Sequence, residues 1–281
     1  MRDVALVTFA AFPDGWEDDH LLAGALTRLG RSVEFVCWDD PSARWPAARM
    51  AIVRSTWDYF DRVDAFCDWA DYVGSVTALH NDAATIRWNS HKRYLLDLAA
   101  HGVPIVPTTV VPAGSVATLP EGKQVVKPAV SGGAERTTRF ATQRDLDELA
   151  ATDDVLVQPY LEEIETKGEL SIICIAGEPS HVVRKVPASG DFRTQEQHGA
   201  EVATIPIDDT HRALVRATWA ALAALGLDPT PLYARVDAVE VDGGLQIMEL
   251  ELIEPTLWFV CHPPAADLLA ASIDAQLTQS R

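Results

Sequence analysis

The sequence contains no hydrophobic run long enough to cross a membrane. Hydrophobic residues make up 48% of its 281 residues, yet no stretch approaches the ~18 consecutive apolar residues that a membrane helix needs. The first residues lead directly into a short strand-like segment, without a basic region followed by a long apolar one. We therefore expect a cytoplasmic protein that makes no membrane contact.

Basic residues are scarce. Lys and Arg number 23 against 41 Asp and Glu, so the formal net charge is -18, and no basic block interrupts the acidic excess. Such a surface repels nucleic acid and anionic lipid, and neither is expected as a partner. An anionic substrate would need a local group of cations or a metal ion. The composition leaves a homo-oligomer open.

Cysteine is rare, and the common nucleotide-binding motifs are missing. Cys37, Cys67, Cys174 and Cys261 lie far apart and form no CxxC or zinc-like pattern, so we expect free thiols that pack as small apolar groups. Neither GxxxxGK[ST] nor GxGxxG occurs, which counts against a P-loop enzyme and a standard dinucleotide-binding fold. Any nucleotide site must be built in another way.

The first third of the chain alternates strand and helix patterns. Strand patterns cover residues 5–9, 33–37, 50–53 and 76–79, and helical patterns cover residues 21–29 and 61–73. This alternation predicts a small parallel α/β sheet with ligand-binding loops at its strand ends. The regular alternation of strand and helix patterns ends between residues 80 and 90, so we assign residues 1–85 to a first domain.

The remainder reads as mostly antiparallel strands with a few helices. Predicted strands lie at 106–111, 123–127, 155–158, 169–176 and 180–186, a hairpin at 233–252, and helices after Ser90, at 143–150, at 209–225 and after Pro263. We divide this part into residues 86–165 and 166–281. Residues 187–199 form a long polar stretch without a period, which is typical of a lid or binding loop.

The predicted hairpin carries three carboxylates on one face. If residues 242–244 form a three-residue loop, Asp237 lies opposite Glu249; a two-residue turn would separate them. The same register places Arg235 opposite Glu251. Facing like charges destabilise a strand pair, and the second strand is otherwise apolar, so the acids are interpreted as ligands of a hard cation such as Mg²⁺. The alternative is a charged hairpin exposed to solvent.

Lysines and a glycine-rich loop could supply the donors for phosphate. Lys127 ends a strand, and the segment from Ser131 to Ala134 follows it with two glycines that let bare backbone amides approach a phosphate. Taken alone, Lys127 is better explained as an ordinary lysine at a strand end, with its ammonium group in water. Arg184 and Lys185 adjoin the predicted lid, and at least one is expected to reach phosphate or substrate.

Order and spacing of short motifs over residues 80–281 resemble the ATP-grasp superfamily, in particular carboxylate-amine ligases similar to glutathione synthetase. These motifs are Asn89-Ser90-His91-Lys92, Lys127 with its glycine loop, Gln158-Pro159-Tyr160-Leu161, Gly168-Glu169-Leu170 and the acidic hairpin that ends at Pro255. The resemblance implies an N-terminal parallel α/β domain followed by two mostly antiparallel sheets that clasp ATP. It also implies ATP and Mg²⁺ as cofactors.

Individual roles follow from this resemblance. The implied ATP-binding residues are Lys92, Lys127, Ser131, Gly132, Gly133, Gln158, Pro159, Tyr160, Leu161 and Glu169, with Lys185 added from its place beside the lid. The implied magnesium ligands are Asp237, Glu249 and Glu251, the last standing where many members have Asn. The implied catalytic groups are Lys127, Arg235 and Arg193, of which Arg193 lies in a Pro187-x-x-Gly190-x-x-Arg193 loop that would close over substrate.

Three further segments resemble the branch of the superfamily that contains the cycloserine-forming cyclo-ligases. They are Arg54-Ser55-Thr56-Trp57-Asp58-Tyr59, Lys167-Gly168-Glu169-Leu170-Ser171 and Glu249-Leu250-Glu251-Leu252-Ile253-Glu254-Pro255. This likeness implies a carbon-nitrogen ligase of antibiotic biosynthesis that activates an amino-acid-like small molecule as an acyl phosphate and closes O-ureido-D-serine to D-cycloserine. The alternatives are an intermolecular amino-acid/amine ligase and an ATP-binding sensor without catalysis.

The first domain is expected to bind the substrate just after its third strand. Arg54 could hold a carboxylate through two hydrogen bonds, Asp58 could hold an ammonium group, and Trp57 and Tyr59 would line the site. The alternative is a packed Trp and Tyr beside a surface ion pair.

Overall fold

The chain folds around three β-sheets. The structure is a computed structural model and describes residues 2–133, 135–186 and 201–279. One sheet is parallel and two are antiparallel. The predicted α/β fold class is confirmed.

The first sheet is parallel and has the order β2-β1-β3-β4. Its elements are β1 (Arg2–Thr8), α1 (Glu17–Arg28), β2 (Val33–Cys37), β3 (Ala48–Val53), α2 (Val63–Val76) and β4 (Ala78–His80). Residues 4–7 and 50–53 are almost completely buried, as expected for central parallel strands covered on both faces.

Two short helices link this sheet to the next one. They are α3 (Ala83–Asn89) and α4 (Tyr94–Ala100). The prediction that Ser90 opens a helix was wrong: Asp82 caps α3 by accepting a hydrogen bond from the Thr85 amide (2.7 Å), and Ser90 ends that helix. Lys92 lies in the turn between the two helices, where its amide donates to the Ala129 carbonyl (2.7 Å).

A small antiparallel sheet follows, with the order β5-β8-β6-β7. It comprises β5 (Thr109–Val111), β6 (Gln124–Pro128), β7 (Thr138–Arg139), α5 (Gln143–Ala150) and β8 (Val155–Pro159). Leu146 and Leu149 of α5 pack with Val126 and Val157 of the sheet in a separate apolar cluster. Strand β7 was not predicted, because two residues are too few to produce an alternating pattern.

The larger antiparallel sheet has the order β11-β10-β9-β12-β13. The elements that follow β8 are α6 (Glu163–Thr166), β9 (Glu169–Ile175), β10 (Glu178–Val186), β11 (Glu201–Ile205), α7 (Asp209–Ala224), β12 (Tyr233–Val241), β13 (Gly244–Glu251) and α8 (Pro264–Gln279). The predicted lid at 187–199, with Arg193, lies outside the described residues.

The acidic hairpin has the predicted pairing but not the predicted loop. Val241 pairs with Gly244 across a two-residue turn in which Asp242 and Gly243 have φ of +50° and +78°, as in the turns that suit twisted hairpins. The three-residue loop was therefore wrong. A β-bulge at Met248 inserts one extra residue into β13 and restores Asp237 opposite Glu249.

The segment that follows β13 is fixed by hydrogen bonds to four consecutive carbonyls. The donors are Asn81 Nδ2 to Leu252 O (2.7 Å), Tyr233 Oη to Ile253 O (3.0 Å), Trp57 Nε1 to Glu254 O (3.1 Å) and Arg54 Nη2 to Pro255 O (2.8 Å). We call residues 252–255 the clamped segment. Three of the four donors come from residues 54–81, so this segment is held against the parallel sheet.

One apolar core joins the beginning and the end of the chain. Leu22 and Leu26 of α1 pack with Leu269 and Ile273 of α8, in a cluster that also contains Tyr233. Within the described ranges, no helix combines the length and the apolar character needed to cross a bilayer.

Removing the Tyr233 hydroxyl tests how much the hydrogen bonds to the clamped segment stabilise the fold. This hydroxyl lies 2.7 Å from Val53 O and 3.0 Å from both His80 O and Ile253 O, in a buried position. Tyr233→Phe removes the donor these buried carbonyls share, so we expect the free energy of unfolding to fall by about 1–3 kcal/mol in urea titrations. Tyr72→Phe, at a tyrosine that is 53% exposed, is the matched control, and equal effects of both substitutions would contradict the clamp.

Candidate active site

A cleft with a cavity volume of about 760 Å³ lies among the three sheets. The small sheet contributes Lys127 and the residues around Gln158, and the large sheet contributes the acidic hairpin. The parallel-sheet part supplies an aromatic wall, which we define as Phe12, Trp16, Trp57, Tyr59 and Phe60. A cleft of this size suits a nucleotide together with a small substrate.

Most of the predicted site residues line this one cleft. They are Trp57, Tyr59, Lys92, Lys127, Ser131, Gly132, Gly133, Gln158, Pro159, Tyr160, Leu161, Glu169, Lys185, Arg235, Asp237, Glu249 and Glu251. Residues far apart in the sequence are therefore neighbours in space, as a ligand site requires.

The large sheet brings carboxylates and cations into contact at the floor of the cleft. Arg235 Nε lies 3.0 Å from both carboxylate oxygens of Asp237, and its guanidinium also pairs with Glu251. Lys185 pairs with Glu169 and lies 3.8 Å from Asp237. Strands β9, β10 and β12 are neighbours, so alternate residues on one face place these groups together.

These contacts set the protonation of the floor. Burial alone would raise the pKa of Asp237, but Arg235 and Lys185 outweigh it and hold the pKa below its ordinary value. Burial raises the pKa of Glu251 to about 7; Arg235 offsets this in part, while Glu249 and Asp237 add to it. Asp237 is therefore ionised at neutral pH, whereas Glu251 is partly protonated there.

The two lysines of the small-sheet side face Glu249. Lys92 Nζ lies 3.2 Å from a Glu249 carboxylate oxygen and also donates to the Ser131 carbonyl. Burial would raise the pKa of Glu249, but Lys92 and Lys127 outweigh it and lower the pKa. Burial lowers the pKa of Lys127, and Glu249 counteracts this shift. Both ammonium groups therefore lie near Glu249 in the cleft.

Backbone geometry shapes the remaining edges. At the end of β8 the Tyr160 amide donates to the Lys123 carbonyl (2.9 Å), which holds the segment 158–161 along the cleft. The glycine-rich loop approaches Phe60 so closely that a Cβ at Gly132 would lie 2.8 Å from Cε1 of that ring. The loop therefore has no room for a side chain at this position.

Two predicted substrate residues are engaged elsewhere. Arg54 is 2% exposed, with Nε 3.0 Å from Asp19 and Nη2 bound to the Pro255 carbonyl. Asp58 accepts hydrogen bonds from Trp38 Nε1 (2.8 Å) and Arg62 (2.7 Å). The structure places neither among the residues that line the cleft.

Sequence analysis gave no individual role to Phe12, Trp16 or Glu254, which also line the cleft. Phe12 packs edge-on against both Trp16 and Trp57, contacts between loops that no local pattern signals. Glu254 lies beyond the end of β13, where strand alternation no longer predicts which face a residue occupies. The sequence signal that could have identified Glu254 as a site residue is its position directly before Pro255, at the end of the acidic hairpin motif.

The donor set has the chemistry of a magnesium site without a preformed three-ligand group. In the described parts of the chain, no group of three or more His, Cys, Asp and Glu side chains is arranged to hold a metal ion. Mg²⁺ commonly uses one or two protein carboxylates together with waters and substrate phosphates. Asp237 and Glu249, opposite each other and facing the cleft, fit that smaller requirement.

Comparison with known proteins gives the class and then the family. The prokaryotic glutathione synthetase ATP-grasp domain model matches residues 119–256. D-alanine–D-alanine ligase from Bacillus anthracis complexed with ATP has the same fold (TM-score 0.70, 12% identity, covering 100% of this chain and 98% of that one). Together with the cleft, these matches define an ATP-grasp ligase, an enzyme that uses ATP.

The family follows from matches that extend over nearly the whole chain. Residues 4–81 match the model of the D-cycloserine synthetase DcsG N-terminal domain. The cycloserine biosynthesis protein DcsG of Streptomyces lavendulae is 34% identical, over 92% of this chain and 93% of that protein. The crystal structure of D-cycloserine synthetase DcsG superposes with a TM-score of 0.85 at 31% identity, covering 98% of this chain and 99% of that one. The chain belongs to the DcsG family.

The pKa of Glu251 predicts a pH-dependent stability difference. A folded-state pKa of about 7, against an ordinary glutamate pKa of 4.5, means that the folded protein binds this proton more tightly than the unfolded chain does. The associated stability is complete below pH 4.5 and is lost as the pH rises through 7. Glu251→Gln has no such proton, so its stability relative to the parent should rise by up to about 3 kcal/mol between pH 5 and pH 8.

Urea unfolding of the nucleotide-free protein in EDTA measures this difference. Glu240→Gln, at a half-exposed ion pair with Lys167 on the same hairpin, is the control and should show little change with pH. A Glu251→Gln difference that stays constant from pH 5 to pH 8 would contradict the raised pKa.

Because Gly132 lies so close to Phe60, a substitution of Phe60 should restore the ATP affinity that a substitution of Gly132 removes. Gly132→Ala should weaken ATP binding, because the new methyl group overlaps the Phe60 ring and must displace the loop at a cost of about 1–3 kcal/mol. Adding Phe60→Leu should restore much of the affinity by removing the ring. Calorimetric titration with a non-hydrolysable ATP analogue measures both, and a double variant as weak as Gly132→Ala would disprove the overlap.

Proposed function

We propose that this enzyme forms D-cycloserine from O-ureido-D-serine. One observation carries the proposal. The same cleft is lined by the lysines and carboxylates of the ATP-grasp part and by the aromatic wall, which belongs to the part of the chain that matches the DcsG N-terminal domain model. The near full-length similarity to the cycloserine biosynthesis protein of Streptomyces lavendulae and to D-cycloserine synthetase DcsG supports D-cycloserine as the product.

In the first step, the substrate carboxylate attacks the γ-phosphate of ATP, which gives an acyl phosphate and ADP. Phosphoryl transfer depends mainly on positioning and on neutralising charge at the phosphoryl oxygens. Lys92 and Lys127 would supply that neutralisation from one side. Gln158 to Leu161 would hold the adenine through the backbone, and Glu169 would hold the ribose.

A magnesium ion would contribute charge neutralisation at the ATP phosphates when bound. We assign Asp237 and Glu249, which lie opposite each other and line the cleft, as the side chains that would hold it. Glu251 pairs with Arg235, and the expected three-ligand group is not arranged to hold a metal ion in the described residues. Arg235 keeps Asp237 ionised and oriented from the side.

In the second step, the substituted hydroxylamine nitrogen of the same molecule attacks the acyl carbon and releases phosphate. Loss of the carbamoyl part as carbon dioxide and ammonia, with uptake of water, then gives D-cycloserine. Both reacting groups belong to one molecule, so the cleft needs only to hold them at reacting distance. Arg193 would stabilise charge at the acyl phosphate.

Two other functions are candidates. An intermolecular ligase would join the activated amino acid to a separate amine, and a sensor would bind ATP without turnover. We favour ring closure because of the similarity to DcsG over both ends of the chain.

Product analysis distinguishes the three. The protein is incubated with MgATP and O-ureido-D-serine, its L-enantiomer or a panel of amino acids with and without added amines. Release of ADP, phosphate and ammonia with a D-cycloserine mass is expected only with O-ureido-D-serine. ADP release that requires a second amine would indicate the intermolecular ligase, and no turnover with any compound would indicate the sensor.

Substitution of Lys127 tests its role in phosphoryl transfer. Lys127→Met keeps the length of the side chain but removes a buried charge that faces the phosphate side of the cleft. We expect kcat to fall by roughly 10²- to 10³-fold, as for the loss of one group that stabilises developing charge. Lys123→Met, at an exposed lysine paired with Glu162 just before the same strand, should leave kcat nearly unchanged.

A further inference from the structure

We propose that Glu254 binds the α-ammonium group of the amino-acid substrate. This inference rests on the proposed function and adds a specificity residue to it. Its carboxylate oxygens would accept hydrogen bonds from the ammonium group at the end of the cleft that borders the aromatic wall.

The first argument is the pairing of charges in the cleft. The floor acids Asp237, Glu249, Glu251 and Glu169 each have an arginine or lysine partner. Glu254 is half-buried and lines the same cleft, but within residues 2–133, 135–186 and 201–279 it forms no ion pair with a lysine or arginine. A ligand cation would stabilise the ionised form of such a half-buried carboxylate.

The second argument is the rigidity of its backbone. Glu254 belongs to the clamped segment: Trp57 holds its own carbonyl (3.1 Å), and Arg54 holds the next one (2.8 Å). Just beyond, Asp18 accepts a hydrogen bond from the Leu257 amide (2.8 Å). Arg54 and Trp57 therefore fix the backbone at Glu254. A binding group whose backbone is already fixed loses little conformational entropy when substrate binds.

The third argument is the sign of the local potential. Burial raises the pKa of Glu254 well above its ordinary value, and Glu251 raises it further, with Lys92 offsetting part of the effect. A ligand cation would relieve this repulsion. Trp57 and Tyr59 line the same part of the cleft, and aromatic faces favour an ammonium group.

The position of Glu254 also agrees with the course of the reaction. It lies three residues beyond Glu251, past the end of β13, so the sequence carries it away from the floor that faces the phosphates and toward the aromatic wall. A substrate bound with its ammonium group at Glu254 would direct its carboxylate toward Lys92 and the γ-phosphate. The opposite orientation would bring the substrate carboxylate against Glu254, which repulsion disfavours.

Kinetics of Glu254→Gln test the inference. KM for O-ureido-D-serine should rise about 10- to 100-fold, as for the loss of one charge-assisted hydrogen bond, while KM for ATP changes less than twofold. Glu254→Asp, which keeps the charge, should recover part of the loss. Glu178→Gln, at an exposed acid outside the cleft, is the control. Equal increases in KM for ATP and for the amino acid, or a changed Mg²⁺ requirement, would overturn the inference.

A substrate analogue without the amino group gives a readout that a structural role would not change. For 3-(ureidooxy)propanoate, the parent enzyme and Glu254→Gln should have the same KM, because the group that Glu254 recognises is missing. A further loss of affinity for this analogue in Glu254→Gln would overturn the inference.

Calorimetric titration with D-serine, in the presence of a non-hydrolysable ATP analogue, separates the two proposals. If the parent enzyme does not turn over O-ureido-D-serine, the proposed function fails. Weaker D-serine binding in Glu254→Gln than in the parent would still support the ammonium site. Equal binding, or no binding to the parent, would overturn it.

Discussion

The site depends on the mutual neutralisation of buried charges. Asp237 and Glu249 remain ionised only because Arg235, Lys185, Lys92 and Lys127 outweigh the cost of burial. Removing one partner would leave a charge in a region of low polarity, where its desolvation is no longer offset. Lys92, which donates to the Ser131 carbonyl and pairs with Glu249, therefore links the loop that follows β6 to the large sheet.

Much of this arrangement could be read from the sequence, because it follows from alternation along strands and from the order of motifs. Pairing of Asp237 with Glu249 is confirmed, although for a reason that the sequence did not reveal. A two-residue turn alone would have separated them, and the compensating bulge at Met248 leaves no mark on a local apolar pattern. Register in a hairpin depends on the sum of its irregularities, not on its turn alone.

Long-range hydrogen bonds were beyond sequence reasoning. Arg54 has the chemistry of a carboxylate-binding residue, and nothing nearby indicates that its partners are Asp19 and the Pro255 carbonyl. Likewise, the start of α3 at Asp82 could not be inferred from Ser90, which is an equally good capping residue. The partners of Arg54 are set by tertiary packing, whereas the choice between Asp82 and Ser90 is a local one that residue type alone does not decide.

The clamped segment limits how enzymes of this architecture can diversify. Side chains from residues 54–81 satisfy the backbone of residues 252–255, although these stretches are far apart in the gene. A recombination event that exchanged only the N-terminal part would leave buried carbonyls without donors. New substrate preferences in this lineage should therefore arise by point substitution or by joint replacement of both stretches, and engineered chimeras should be cut accordingly.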